Sequence, residues 1–193
     1  MLETQTLEPN TATDKELVQA ALAGERSAYQ QLLDRHQDRL FHSISTLTGS
    51  STVAEEIVQE AFINAFLKLH TMRHESGFYT WLYRIALNLR RKHLRHYHRE
   101  TQISELALDE PTTDARESPP EKLVRAETRA QVLSGIRKLN SRHREILILR
   151  EFEGFDYQRI ADVMGIELGT VRSRLSRARS QLRRLLIEAH ANP

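Results

Sequence analysis

Apolar residues recur along this chain at steps of three and four, and no stretch shows the alternation of a strand, so the pattern predicts helices throughout. After a polar tail over residues 1–12, Thr13 and Glu16 form a capping-box pattern that opens a helix through LVQAALA to Gly24. A second helix is predicted from about Ser27 to Leu47, with Tyr29, Leu32, Leu33, Leu40, Phe41 and Ile44 facing inward, and Gly49, Ser50 and Ser51 break it. Thr52 with Glu55 repeats the capping pattern and opens a third helix through EEIVQEAFINAFLKLH. A loop carrying Met72, His74, Ser76 and Gly77 leads to a fourth helix, from about Phe78 to His98, with Leu82, Ile85 and Leu89 as its core face.

The character changes at residues 100–121. ETQISELALDEPTTDARESPPE holds seven acidic residues against Arg116 alone, with Pro111, Pro119 and Pro120 and little periodicity, and it reads as an extended or disordered linker. A fifth helix is expected from Pro120 to Leu139, and Ser141 is expected to cap a sixth that ends at Gly154. Val132, Ile136, Leu139, Ile146, Leu149 and Phe152 form the apolar set of this part. The expected fold class is all-α, with two small helical domains at 13–99 and 122–189 joined by the acidic linker.

The last stretch, FDYQRIADVMGIELGTVRSRLSRARSQLRRLLI, has the form of a helix-turn-helix. Ile160, Ala161 and Met164 share one face of a short helix, and Gly165 stands where the chain must turn left-handed. A second helix starts near Gly169 with Val171, Leu175, Ala178, Leu182 and Leu185 as its inward stripe. Its other faces carry Thr170, Arg172, Ser173, Arg174, Ser176, Arg177, Arg179, Ser180, Arg183 and Arg184, and no acidic residue falls between Glu167 and Glu188. Arginine can hold a phosphate or grip a guanine edge with two hydrogen bonds, and serine or threonine can reach either target. A solvated basic helix would show the same charge; the small Ala161, the Gly165 turn and the inward Val171 favour a helix that enters the DNA major groove.

Charge adds a second candidate surface. The net charge is only +2, but it is unevenly spread, and from Ser76 to Arg99 there is no acidic residue. Arg84, Arg90, Arg91, Lys92, Arg95 and Arg99 are interleaved there with Phe78, Tyr79, Trp81, Tyr83 and Tyr97. Basic groups can hold a strand's phosphates while rings stack on unpaired bases. For Tyr79, Trp81 and Tyr83, core packing explains the pattern equally well.

Composition limits the remaining classes. The chain has 193 residues, 39% hydrophobic and 28% charged, which is ordinary for a soluble protein. It has no cysteine, so neither disulfides nor thiolate zinc sites are expected, and the polar N-terminus lacks a signal peptide's apolar core. A cytoplasmic protein is expected. His93, His96 and His98 lie close together, but His98 sits poorly with the other two on a helix and no carboxylate follows nearby, so no metal site is expected. No phosphate-cradling glycine loop, nucleophile elbow or HExxH pattern is present, and neither an enzyme nor a cofactor is expected.

VAEEIVQEAFINAF, SGFYTWLYRIALN and LREFEGFDYQRIADVMGIELGTVRSRLSRAR together resemble the extracytoplasmic-function (ECF) sigma factors of bacterial RNA polymerase, in particular the sigma-E-like group. The resemblance runs from about Asp14 to Leu186. It implies a sigma region 2 followed by a sigma region 4, which bring core RNA polymerase to the minus-10 and minus-35 promoter elements and help to melt the DNA, as in a stress response. Glu56, Gln59, Glu60 and Asn64 would then dock on the clamp of the largest polymerase subunit, with a further contact to the flap region. The His70–Gly77 loop, with Met72 and Asn88, would capture a base flipped from the minus-10 strand, alongside Tyr79, Trp81, Tyr83, Arg84, Arg91 and Lys92. Arg150, Thr170, Arg172, Ser173, Ser176 and Arg177 would contact the minus-35 element, and the acidic linker would thread the channel that later carries RNA. Two positions depart from the family pattern: Asn64 stands where a lysine is familiar and Met72 where an aromatic residue is common, so the identity of the captured base does not carry over. The resemblance further implies an anti-sigma factor, often membrane-bound, as a partner. A stand-alone helix-turn-helix regulator would share the last motif, but not the WLYRIALN stretch or the acidic linker.

Overall fold

The first helix starts where the capping box predicts. In the computed structural model, the Thr13 hydroxyl accepts from the Glu16 N–H at 3.3 Å, and the Glu16 carboxylate accepts from the Thr13 N–H at 2.7 Å. The structure describes residues 12–72, 77–100 and 120–191, with side chains described for 12–72, 77–95 and 128–189. The tail, most of the acidic linker, and the side chains of His96, Tyr97, His98 and Arg99 therefore lie outside the described residues.

The N-terminal half consists of α1 (Asp14–Leu22), α2 (Arg26–Thr48), α3 (Ser51–Lys68), a 3₁₀ turn (Leu69–Thr71) and α4 (Phe78–Glu100). Helix α2 packs against both α1 and α3, and α4 closes the bundle against α3. Leu32, Leu40, Ile44, Leu47, Ala54, Ala61, Ala65, Leu82, Ala86 and Leu87 are the buried centre, while Tyr29, Leu33 and Phe41 are half-buried at its edge. The alanines of α3 let neighbouring helices approach closely.

The C-terminal half consists of α5 (Pro120–Lys138), α6 (Ser141–Leu147), a single π turn (Ile148–Phe152), α7 (Tyr157–Met164) and α8 (Leu168–Ala191). Its core is Ile136, Leu139, Ile146, Leu149, Ile160, Val163, Val171, Leu175 and Ala178. At Gly135 a Cβ would come within 2.9 Å of Leu182 Cδ1, so a glycine there lets α5 lie directly on α8. Among the described residues there is no strand, and no helix is long and apolar enough to cross a membrane.

Three local expectations are corrected. The cap of α3 is Ser50, whose hydroxyl accepts from the Val53 N–H, and not Thr52, which lies within the helix. The cap of α6 is Asn140, whose Oδ1 accepts from the His143 N–H at 2.9 Å, and not Ser141. Phe152 is not a core residue: it is 48% exposed while Glu153 is buried. The segment ends in the π turn, where the Glu153 N–H donates to Ile148 O, five residues back.

The cap assignment has a direct check. Asn140→Ala should lower the unfolding free energy by about 1 kcal/mol, and Thr52→Ala by no more than a few tenths. Equal losses in urea titrations would contradict Asn140 as a cap and Thr52 as an ordinary helical residue.

Candidate nucleic-acid interface

The helix-turn-helix is built as its sequence requires. Asp156 caps α7 by accepting from the Arg159 N–H at 2.8 Å. Gly165 has φ of +65°, the left-handed conformation, and the next residue closes the turn by an Ile166 N–H bond to Ala161 O at 3.1 Å. The α8 that follows is pinned by the buried Val171, Leu175 and Ala178, with Leu182 and Leu185 partly buried behind them. This leaves Arg172, Ser173, Ser176 and Arg177 exposed on one surface, with Thr170 half-buried at its start and accepting from the Ser173 hydroxyl through its backbone oxygen.

Arg150 reaches this region from the π turn. Its guanidinium donates to Phe155 O at 2.9 Å and lies 5.1 Å above the Tyr157 ring. It is thus preset beside the N-terminus of α7. Arg179 is held by Glu151 at 2.7 Å, so only part of the arginine set on α8 is unpaired by carboxylates among the described residues.

On α4, the helical period separates two groups that the sequence alone left together. Arg84, Asn88, Lys92 and Arg95 are exposed along one side. Tyr79, Trp81 and Tyr83 are buried, Tyr83 completely. The Tyr83 hydroxyl is 2.6 Å from Ser43 Oγ, and burial, with Glu153 nearby, pushes its phenol far above the ordinary value. Base stacking by these three rings, one of the two readings of the sequence, does not fit their placement: all three are buried, Tyr79 against His36 of α2 and Phe155, and Tyr83 against Phe155. Met72 packs half-buried on the core at the end of the 3₁₀ turn, and residues 73–76 of the loop lie outside the described residues. Arg91 is half-buried and paired to Glu145 at 3.2 Å.

On α3, Glu56, Gln59 and Glu60 are exposed in a row, whereas Asn64 is half-buried and donates to the Glu60 carbonyl at 2.8 Å. The same helix exposes Ile63, Phe66 and Leu67, which sequence reasoning passed over. Phe66 packs edge-on against Tyr29 at 4.9 Å, which holds its ring in place. A signal was present: α3 is apolar on more faces than its neighbours in the bundle can cover.

Comparison with known proteins points the same way as this geometry. Residues 32–100 match the model of Sigma-70 region 2, and residues 129–182 match that of Sigma-70 region 4. The chain is 36% identical over 180 residues to the RNA polymerase sigma-H factor of Pseudomonas aeruginosa, covering 90% of this chain and 93% of that protein. It is 35% identical over 177 residues to the ECF RNA polymerase sigma-E factor of Escherichia coli, covering 88% of this chain and 92% of that one. Among solved structures it resembles the sigma factor RpoE of Bartonella quintana in complex with the anti-sigma factor NepR, with a TM-score of 0.70 and 26% identity over 82% of this chain and 96% of RpoE. It also resembles CnrH in complex with the cytosolic domain of CnrY, with a TM-score of 0.66 and 27% identity over 93% of this chain and 99% of the other. Two sigma regions in order, and relatives that align along nearly the whole length, place the chain in its family: it belongs to the extracytoplasmic-function sigma factors, alternative sigma factors that direct RNA polymerase to promoters.

Proposed function

We propose that this sigma factor divides its work among three surfaces: α3 for the polymerase clamp, the exposed side of α4 for the minus-10 strand, and the start of α8 for the minus-35 element. The observation that carries this reading is the exposed row Arg172, Ser173, Ser176 and Arg177, projected from a helix whose opposite stripe is locked in a core. A recognition helix needs rigid placement as well as donors, because a bidentate arginine contact depends on angle. Arg84, Asn88, Lys92 and Arg95 form the second nucleic-acid surface, on the other half of the molecule. Arg84, Lys92 and Arg95 supply phosphate contacts there, and Asn88, on the helix that follows the His70–Gly77 loop, is suited to an unpaired base. A stress response fits the kind of regulator, and the chemistry belongs to polymerase; this chain contributes address and melting.

On α3 the polar row Glu56, Gln59 and Glu60, with two carboxylates, continues into the apolar patch of Ile63, Phe66 and Leu67. An interface with an apolar centre and a polar rim is what a stable protein partner requires, and the clamp coiled coil is the occupant that fits the family. A groove between α6 and α8, lined by Leu147, Leu182, Leu186 and Ile187, is the candidate seat for the flap region. Because the Bartonella relative is held by an anti-sigma factor, a similar partner, free or anchored at the inner membrane, is proposed to cover these faces until transcription is needed.

In-vitro transcription with bacterial core polymerase on a library of promoter fragments tests the division of labour. Arg172→Ala and Arg177→Ala should each weaken promoters with a strong minus-35 element by about 1–3 kcal/mol and leave minus-10 preference unchanged. Normal transcription by both variants would remove that helix face from the minus-35 contact. Phe66→Asp, and Glu56→Arg to a smaller degree, should reduce retention on immobilised core polymerase by about 1–3 kcal/mol without altering binding of duplex DNA. Undiminished retention of Phe66→Asp would take the α3 patch out of the interface.

A further inference from the structure

His36 lies on the inner side of α2, in line with the fully buried Leu32 and Leu40, where an apolar residue would fill the same space. It is 8% exposed, and its Nε2 is 2.8 Å from Asp14 Oδ2 at the start of α1. The other oxygen of Asp14 accepts from Arg35 Nη1 at 2.7 Å, and Arg35 Nη2 donates to Ala12 O at 2.9 Å. One carboxylate therefore holds two consecutive side chains of α2, which leave that helix about 100° apart. Gripping both fixes α1 on α2 in rotation as well as in distance. The His36 ring also stacks on Tyr79, with centroids 5.2 Å apart, and lies 5.7 Å from Phe78. Phe78 and Tyr79 are the first two residues of α4.

The place of this cluster gives it a use. Helix α1 touches both the 3₁₀ turn Leu69–Thr71 and the start of α4, the two flanks of the connection from α3 to α4. Leu17 and Val18 of α1, Leu69 of the turn and Phe78 of α4 are all buried. The first turn of α4 closes on Gly77 O, which accepts from the Trp81 N–H at 3.2 Å. A rotation of α4 by roughly 20° would move a side-chain end about 6 Å from its axis by about 2 Å, more than a hydrogen bond tolerates. We propose that Asp14, Arg35 and His36 are positioning residues for capture of the minus-10 strand. Through α1 and the stack on Phe78 and Tyr79 they fix the rotation of α4, and with it the direction in which Arg84, Asn88 and Lys92 project. The proposal rests on the reading of the exposed side of α4 as the minus-10 surface. An apolar side chain at position 36 would hold the helices together equally well, because burial has no direction. A histidine held by a carboxylate and stacked on a ring adds the direction.

The test uses the full-length chain with core polymerase, and follows promoter opening by a fluorescent base analogue in the minus-10 element. His36→Leu keeps the core filled, so its urea midpoint and its retention on immobilised polymerase should match the parent chain. Its opening of duplex promoter should nevertheless slow about tenfold, while transcription from a template already unpaired over the minus-10 element stays within about twofold. Asp14→Ala should slow opening to a similar degree. Asp14→Asn, which keeps an oxygen for His36, should recover most of the rate, and Asp14→Ala with His36→Leu should be no slower than His36→Leu alone. Opening at the parent rate in His36→Leu would overturn the proposal. So would equal losses on duplex and unpaired templates, or losses that follow the urea midpoint, since a merely structural role predicts both. Asn88→Ala separates the two levels: slow opening there with normal opening in His36→Leu overturns the positioning role alone. Normal opening in Asn88→Ala overturns the minus-10 reading of that residue on which the proposal rests.

Discussion

A guanidinium taken out of water costs several kcal/mol unless a carboxylate accompanies it, and this constraint governs how the molecule is put together. Arg90 lies on the side of α4 that turns toward the C-terminal half, and its burial lowers its tendency to stay charged even as Glu145 restores it. The partner comes from α6, which is also bound through Arg144 to the Leu47 carbonyl at the end of α2. At the far edge of the contact the buried member is the carboxylate: Glu153 is paired by Arg39, whose side chain is half exposed. The apolar packing of Phe155 on Tyr79 and Tyr83 then becomes possible between two neutralised ends.

The same demand explains the distribution of charge along the chain. A sigma factor needs basic surfaces for DNA, yet the net charge is only +2. Acidic residues are most concentrated in the linker, with Glu55, Glu56 and Glu60 on α3, whereas none falls from Phe78 to Arg99 on α4 or from Leu168 to Ile187 on α8. The arginines that face solvent on α8 remain available for a groove, whereas Arg179 is committed to Glu151 and Arg150 to Phe155 O and Tyr157. Position within the fold, more than residue type, separates an arginine that binds DNA from one that braces the scaffold.

Much of this is legible in the residues alone. The Thr13–Glu16 box, the Gly165 turn and the Val171, Leu175 and Ala178 stripe depend on residues close together in sequence, where backbone hydrogen bonding and the 3.6-residue period decide the outcome. What escaped was either a matter of one residue or one of distant partners. Ser50 and Thr52, or Asn140 and Ser141, are chemically similar caps, and the choice depends on where the incoming chain stops being extended. Phe152 and Glu153 stand three and four residues after Leu149, both near its face, and only the packing of the C-terminal half decides that Glu153 goes in and Phe152 out. Ile63, Phe66 and Leu67 look like further core residues, but among the described residues the bundle leaves them about half or more exposed, with Phe66 only edge-on to Tyr29.

By itself the sequence determined the helical class, the two-part organisation, the family and the helix-turn-helix, because these follow from periodicity, capping and short motifs. Only the tertiary structure decided which of the α4 aromatics and arginines face water. Tyr79, Trp81, Tyr83 and Arg90 have the composition of a nucleic-acid face, yet all are buried, and for Tyr79, Tyr83 and Arg90 the neighbours are α2 and residues 145–155, more than fifty positions away in the chain for Arg90 and Glu145. Contacts at that separation are set by how helices dock, through shape and paired charge together, and no local pattern records them.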